Sequence, residues 1–225
     1  MNSYIAIQNT YQIFEMALFL NNKLIDHIQE DKRHTSKLFI PLLNQLFTKN
    51  KVPLSSLSLC AVNCGPGPFS TLRSIIASAN GIHYATTIPL IGVDGLDALF
   101  SEVYNPDYPH TIALLNAFNN DIYYLIAHHN KILAKGYDKI DAFITDIQQK
   151  YPAEPINFIG NGVSLHQDLI KNSLKSNAII THNIPEFCSI QTIASLGLAA
   201  FRDSNYNAGY LMPLHLKKHA VEEKK

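Results

Sequence analysis

Charge imbalance, a disulfide framework and a long apolar run are all missing from this 225-residue chain. Its 18 Lys and Arg are matched by 18 Asp and Glu. That balance argues against holding nucleic acid on a broad phosphate-neutralising surface, which needs clustered cations. Three cysteines, Cys60, Cys64 and Cys188, are too few for a disulfide framework, and a reducing cytoplasm is the expected compartment. No window approaches the apolar length of a membrane span, so no membrane contact is expected. Gln8, Asn9, Gln12 and Glu15 interrupt the first apolar stretch, which therefore lacks the pattern of a secretory signal. No H-E-x-x-H occurs. Cys60 and Cys64 would share a face of a strand, but no second ligand pair completes a zinc site, and they read as buried structural thiols. The tail Leu216 to Lys225 is charged but mixed in sign, as a solvated end would be.

What is present is an ordinary globular composition, 47% hydrophobic and 16% charged, enough for one or two domains. Tyr4 to Ile7, Gln12 to Leu20 and Lys23 to Gln29 read as three strands, with Asn21-Asn22 as the hairpin turn between the second and third. A helical pattern follows with Leu38, Leu42, Leu43, Leu46 and Phe47 on one side, Thr35 or Ser36 as its N-cap, and Pro41 best accommodated in a first turn. Ser58 to Val62 is a fourth strand. Ile88 to Val93 is a fifth, after a second helix ending near Gly81 to Ala85.

The fourth strand runs into Gly65-Pro66-Gly67-Pro68-Phe69-Ser70-Thr71-Leu72-Arg73. Gly65 and Gly67 can take backbone angles closed to other residues, while Pro66 and Pro68 stiffen the turn and remove two donors. A helix N-terminus follows directly, so the turn could cradle a phosphate or launch a helix at a fixed angle toward a partner. On that helix Leu72, Ile75, Ile76, Ala79 and Ile82 form a core-facing stripe. Ser74, Ala77, Ser78 and Gly81 form a low ridge at i, i+3, i+4 and i+7.

Tyr104 to Pro109 reads as a linker. Beyond it a smaller version of the same theme is expected: strands His110 to Leu115, Asp121 to His128 and Ile132 to Lys135 with a turn at Asn130. A helix Asp138 to Lys150, a strand Ile156 to Ile159, a helix Val163 to Leu174 and a last helix Ile190 to Phe201 follow. His128-His129 read as a solvated strand end with side chains on opposite faces. The predicted class is α/β: an actin-like, ribonuclease H-like fold of two subdomains with mixed sheets flanked by helices. The N-terminal subdomain is residues 1–104, joined by the C-terminal helix segment 190–225, and the second, smaller α/β subdomain is residues 110–189. Fold alone carries no chemistry.

Several motifs, in order along nearly the whole chain, resemble the bacterial TsaB (YeaZ) family. Gly65 to Arg73 is similar to that family's GPGSFTGLR, and Ala77, Ala79 and Gly81 match the helix behind it. Arg33-His34-Thr35-Ser36-Lys37-Leu38 resembles RRHSERL, and Ile91 to Leu99 resembles VGVSSLEAL. Ile159-Gly160-Asn161-Gly162 resembles the GDG turn, and Met212 to Lys217 with Ala220 resembles the closing P-x-YLR-x-x-A segment. The departures are equally specific. Gln8-Asn9-Thr10 stands where the family has DTS, so the carboxylate that could hold a metal is absent. Asn116 to Tyr123 stands for DARR-x-EVY without its arginines or leading aspartate. Pro68, Ser70 and Thr71 replace Ser, Thr and Gly in the turn.

The resemblance implies a non-catalytic dimerization subunit for a TsaD-type catalytic paralogue that forms N6-threonylcarbamoyladenosine in tRNA beside the anticodon. A TsaE-type ATPase would join the assembly, a homodimer could form when the partner is absent, and tRNA would be reached only through the complex. No catalytic, cofactor or metal residues are expected here, ATP and metal belonging to partner subunits. Transferase chemistry on this fold needs carboxylates or histidines around a metal. His34 alone does not replace the paired histidines of the catalytic paralogue, because Leu38 stands four residues on. The expected partner interface is Thr35, Leu38, Arg73, Ser74, Ala77, Ser78 and Gly81, launched by Gly65, Pro66, Gly67 and Phe69. The family would also send the last helix back onto the first subdomain. The alternatives are a stand-alone actin-fold ATP-dependent kinase or transferase and, last, a peptidase, for which Ser70 has no histidine nearby in sequence.

Overall fold

The computed structural model describes residues 3–214 and 216, except 182, 184, 207 and 208. Contacts divide the chain into two units. One comprises the residues up to 98 together with 189–214, and the other residues 99–188.

The first unit is built on a five-stranded sheet of order β3-β2-β1-β4-β5, from β1 (Ser3–Asn9), β2 (Ile13–Leu20), β3 (Lys23–Asp31), β4 (Leu57–Asn63) and β5 (Leu90–Val93). The first three strands are antiparallel, with Ile5 opposite Leu18, while β4 and β5 run parallel to β1. The alternation of side chains sends Ile5, Ile7, Phe14, Met16, Leu18, Cys60 and Val62 to one face. There they pack under α1 (Thr35–Asn50) and α2 (Phe69–Thr86). The opposite face carries the small residues Ala6, Ala17 and Ala61, all fully buried, and α6 (Ile190–Arg202) lies against β1, β4 and β5 there. Small side chains let that helix come close. A Cβ added at Gly197 would lie 2.4 Å from the Ala61 Cβ.

The second unit repeats the topology. Its strands are β6 (His110–Asn116), β7 (Asp121–His128), β8 (Lys131–Lys139), β9 (Ile156–Ile159) and β10 (Ala178–Ile179). Read from β8, their order is again three antiparallel strands followed by two parallel ones. α4 (Ile140–Lys150) and α5 (Asn161–Leu174) bury Phe143, Ile144, Ile147, Val163 and Ile170 against Ile112, Leu114, Ile126 and Phe158.

Several expected boundaries move. α3 (Gly95–Val103) was not legible, and the contact boundary at Ala98 falls inside it rather than in the linker at 104–109. β8 runs to Lys139, so α4 starts at Ile140 rather than Asp138, and α5 starts two residues before Val163. β5 begins at Leu90 rather than Ile88. The last helix ends at Arg202, and an irregular segment follows it. α1 is capped by neither Thr35 nor Ser36: a 3-10 turn, Lys32–His34, precedes it, and Asp31 accepts the Arg33 amide at 2.8 Å. Pro41 sits inside the helix rather than in its first turn. His129 takes a left-handed φ of 48°, which turns its ring to 4.5 Å from that of His128 instead of to the opposite face. His215, Lys217 and Ala220 of the closing motif, and all of the charged tail except Leu216, lie outside the described residues.

Candidate functional site

Two places in the first unit could carry function: the turn between β1 and β2, where Gln8-Asn9-Thr10 stands, and the surface of α1 and α2.

At the first, the side chains close on one another. Gln8 is buried; its Nε2 donates to Glu15 Oε1 at 2.5 Å, and its Oε1 accepts from Asn63 Nδ2 at 3.3 Å. Glu15, itself buried, also accepts from Gln29 Nε2 at 3.2 Å and lies 2.7 Å from His27 Nε2. A buried carboxylate held by several donors is compensated where it stands. The Thr10 hydroxyl takes up the amides of Gln12 and Ile13 at 3.2 and 3.1 Å, and the Thr10 amide donates to the Ile13 carbonyl at 2.8 Å. A phosphate would need those amides, and a bridging metal would need an acid where Gln8 stands. These residues do not fit a metal-bound nucleotide.

The glycine and proline turn is fastened as firmly. Gly65 has φ 103°, its amide donates to Asn63 Oδ1 at 2.9 Å, and its carbonyl accepts from Gly95 at 2.7 Å. A Cβ there would stand 2.7 Å from a Leu72 methyl, so both angle and space require glycine. Gly67 differs from expectation, with no left-handed angle and open space where a Cβ would go. The Gly65-Pro66 bond is cis. Pro68 is the N-cap of α2 and brings no capping side chain. Phe69 opens the helix half-exposed, with the Arg73 guanidinium 3.7 Å above its ring. Arg73 thus covers an aromatic face at the helix start, a contact that adds charge–quadrupole attraction to stem packing.

Along α2 the expected stripe holds: Leu72, Ile75, Ile76, Ala79 and Ile82 are its buried residues. On the other side Ala77 and Gly81 are exposed and Ser74 and Ser78 half-buried. Ser78 turns its hydroxyl back to the Ser74 carbonyl at 2.9 Å, so it presents little polarity outward. A Cβ at Gly81 would meet nothing within 4 Å. Beside this ridge, between α1 and α2, runs a groove of about 640 Å³ lined by Ile40, Leu43, Phe47, Ser78, Gly81 and Ala85 among others. Ile40 is 58% exposed and Tyr84 79% exposed. Of the α1 candidates, Leu38 is half-buried and stands off the groove, about 160° around the helix from Ile40. Thr35 is fully buried, its hydroxyl donating to the Lys32 carbonyl at 2.8 Å, so it supports the helix start and cannot touch a partner.

Three features escaped the sequence reading. Ile40 lines the groove and Tyr84 stands exposed on α2; both could have been found as large apolar residues falling off the core stripe. Asn80 clamps the C-terminal segment, donating to the Leu211 carbonyl at 3.0 Å and accepting its amide at 2.8 Å. The Leu214 amide reaches the Cys64 carbonyl at 2.8 Å. An asparagine in the middle of an apolar helix was the signal for that clamp.

The cysteines are buried and free. Burial pushes the Cys60 thiol up strongly and the Cys64 thiol up to about 12, which removes them from nucleophilic or metal chemistry. Among the described residues no three His, Cys, Asp or Glu converge to hold a metal ion, and no helix is long and apolar enough to cross a membrane.

Comparison with known proteins now adds to this geometry. Residues 25–221 match a family model described as "TsaD: tRNA N6-adenosine threonylcarbamoyltransferase". A "tRNA threonylcarbamoyladenosine biosynthesis protein TsaB" of Buchnera aphidicola subsp. Baizongia pistaciae is 22% identical over 66% of this chain and 68% of its own length. Other curated relatives are spanned over shares from 28% to 59% of their length. In structure the chain is similar to an uncharacterized Pseudomonas aeruginosa protein "with similarity to peptidase YEAZ", with TM-score 0.76 and 16% identity, covering 96% of this chain and all of the other. It is also similar to a polyphosphate/ATP-glucomannokinase of Arthrobacter sp. strain KM, with TM-score 0.53 and 10% identity over 88% of this chain and all of that one. The fold is the actin-like, ribonuclease H-like one expected from the order of elements.

Proposed function

This chain belongs to the family described as TsaD: tRNA N6-adenosine threonylcarbamoyltransferase, as one of its TsaB/YeaZ members, and from that premise we propose that it is the non-catalytic pairing subunit. It docks through α1 and α2 on a TsaD-type catalytic paralogue and supports formation of N6-threonylcarbamoyladenosine in tRNA. Involvement in tRNA threonylcarbamoyl modification is what the family and the TsaB-named relatives support. The pairing role is read from the surface.

The observation that carries it is the ridge of exposed Ala77 and Gly81 with half-buried Ser74 and Ser78, beside an apolar groove lined by exposed Ile40. Side chains this small let a second helix approach closely, and the groove receives what that helix projects. Fully burying one residue such as Ile40 contributes roughly 1.5–3 kcal/mol, so a few such contacts offset the cost of association. Arg73 stacked on Phe69 stands at the start of the same helix, while half-buried Leu38 lies off the groove on α1. Gly65, Pro66, Gly67 and Phe69 set the angle at which α2 leaves the sheet.

Nucleotide and metal are assigned to the partner subunits, a TsaD-type enzyme and a TsaE-type ATPase, because Gln8 and Thr10 close the turn that would hold them. The same face serves a homodimer when the paralogue is absent, and a cytoplasmic setting suits the substrate. The kinase and peptidase alternatives find no support in the residues: Gln8 is not an acid, and Ser70 lies exposed in the first turn of α2. The test is co-purification with the catalytic paralogue, together with threonylcarbamoyladenosine in tRNA after depletion of this chain. Capture of the paralogue and loss of the modified base are expected. Normal modification in depleted cells would sink the reading.

A further inference from the structure

The second unit carries a surface that pairing through α1 and α2 does not use. On the face of the β7 and β8 pair turned away from α4 and α5, Tyr123 stands directly opposite Tyr137, Asp121 opposite Lys139, and Leu125 opposite Lys135; Leu125 and Asp121 are buried, and the face opens at the tyrosines and along β8. The two tyrosine rings lie 5.8 Å apart at 53° and are half-buried. Lys135 and Lys139 are exposed on β8, which is the edge strand, and four residues of strand separate them by about 13 Å. Asp121 on this face is buried and accepts the Tyr137 hydroxyl.

The turn from β6 to β7 adjoins this face and is strained. Phe118, Asn119 and Asn120 have φ of 63°, 55° and 61°, three successive left-handed residues with no glycine among them. Asparagine tolerates that region; phenylalanine seldom adopts it. The surroundings hold the turn: Asn116 Oδ1 accepts the Phe118 amide at 2.8 Å, the Phe118 carbonyl accepts from Asp121 at 2.9 Å, and the Asn120 carbonyl accepts from Ile140 at 3.0 Å. The last of these ties the turn to the end of β8 beside Lys139. Strain maintained by its surroundings points to use. Here it presents a half-exposed aromatic ring and two exposed amide side chains next to a tyrosine pair flanked by lysines.

We propose that this face, formed by Tyr123, Tyr137, Lys135, Lys139, Phe118 and Asn119, is a contact for the unstacked nucleotides of an RNA loop. The proposal rests on the tRNA reading above and gives this chain its own contact with the substrate. Aromatic rings on a sheet face stack on splayed bases, lysines at the strand edge meet phosphates, and amides pair with base edges. The zero net charge of the chain is compatible with a contact this local. A broad groove that tracks a duplex would need more cations.

The test uses the full chain and a fluorescently labelled anticodon stem-loop hairpin, with a fully paired RNA duplex for comparison, by fluorescence anisotropy between about 50 and 200 mM salt. The hairpin should bind more tightly than the duplex. Tyr123→Ala should weaken hairpin binding roughly 5- to 100-fold, and Tyr123→Phe, which keeps the ring, should bind as the parent does. Lys135→Gln with Lys139→Gln should lower the slope of log affinity against log salt by about 1.4. All variants should still capture the catalytic paralogue, which shows that they fold and that pairing is intact. Equal binding of hairpin and duplex, or unchanged hairpin binding by Tyr123→Ala, would overturn the proposal. So would loss of paralogue capture by that variant with RNA binding unchanged, since the face would then be a protein contact. Normal modification after depletion, with hairpin binding intact, would remove the tRNA reading and leave the RNA contact standing.

Discussion

Gly197→Ala adds one methyl where α6 lies against β4. Its Cβ would stand 2.4 Å from the Ala61 Cβ, whereas carbon atoms in contact settle near 3.5–4.0 Å. The helix must therefore withdraw by about 1.1–1.6 Å, because Ala61 belongs to a strand paired on both sides and cannot yield. Withdrawal loosens Ile190, Ile193, Ala194 and Leu198, all buried along the same helix, and a gap of this size forfeits a large part of each dispersion contact. Overpacking of this kind costs about 1–3 kcal/mol, and the better helix propensity of alanine returns up to ~1 kcal/mol. Because 2.4 Å is far inside contact distance, the cost falls in the upper part of that range, about 2–3 kcal/mol, so the expected net loss is about 1–3 kcal/mol, which lowers Tm by roughly 2–12 °C. Urea titration and thermal unfolding of the variant measure it. Ala61→Gly in the same molecule removes the opposing methyl, so the double-mutant cycle should show a favourable coupling of about 1 kcal/mol or more. A Gly197→Ala protein as stable as the parent, or more stable, would refute the close approach of α6 to the sheet.

Two other expectations follow from the same structure. With its thiol at about 12, Cys64 holds about one thiolate in ten thousand at pH 8; a thiol reagent should label neither Cys60 nor Cys64 in the native protein and should label both after denaturation. Rapid native labelling would contradict their burial. Hydrogen bonds from Lys49 and then Asn50 hold the Asp26 carboxyl below its usual range and tie α1 to β3. The stabilisation is full at neutral pH and is lost as pH falls through the lowered folded value, below about 4. Because Lys49 is well exposed, its worth is about 1 kcal/mol or less. Asp26→Asn should flatten the acid limb of the stability profile by that amount, and an unchanged limb would remove the assignment.

Much of the fold was legible because hydrophobic periodicity fixes faces. The buried set of α2 could be named residue by residue, since its apolar positions recur at helical spacing against a fully buried sheet. The order of elements along the chain was accessible for the same reason, whereas the order of strands within each sheet is read from the structure. Local chemistry that depends on distant partners was not. Thr35 looked like a surface cap, yet it is buried because the 3-10 turn capped by Asp31 carries the chain inward before α1 begins. α3 escaped because its nine residues follow a glycine and give too short a window for a period. Set against the DTS of the family it resembles, Gln8 showed that an acid was missing. Only the structure shows that Gln8 is bonded to Glu15 and Asn63 and that the Thr10 hydroxyl takes the amides a phosphate would use. The groove beside α2 was likewise invisible, because it is made by two helices whose contact no single stretch records.

The affinity of this chain for the TsaD-type paralogue, measured for the parent and for Ala77→Trp, bears most directly on pairing through α2. Ala77 is exposed and its replacement should change monomer stability by no more than about 0.5 kcal/mol. A large ring on the ridge should hold the partner helix away and weaken binding by roughly tenfold or more. A variant that keeps the parent's Tm and also keeps its full affinity would contradict the placement of the interface.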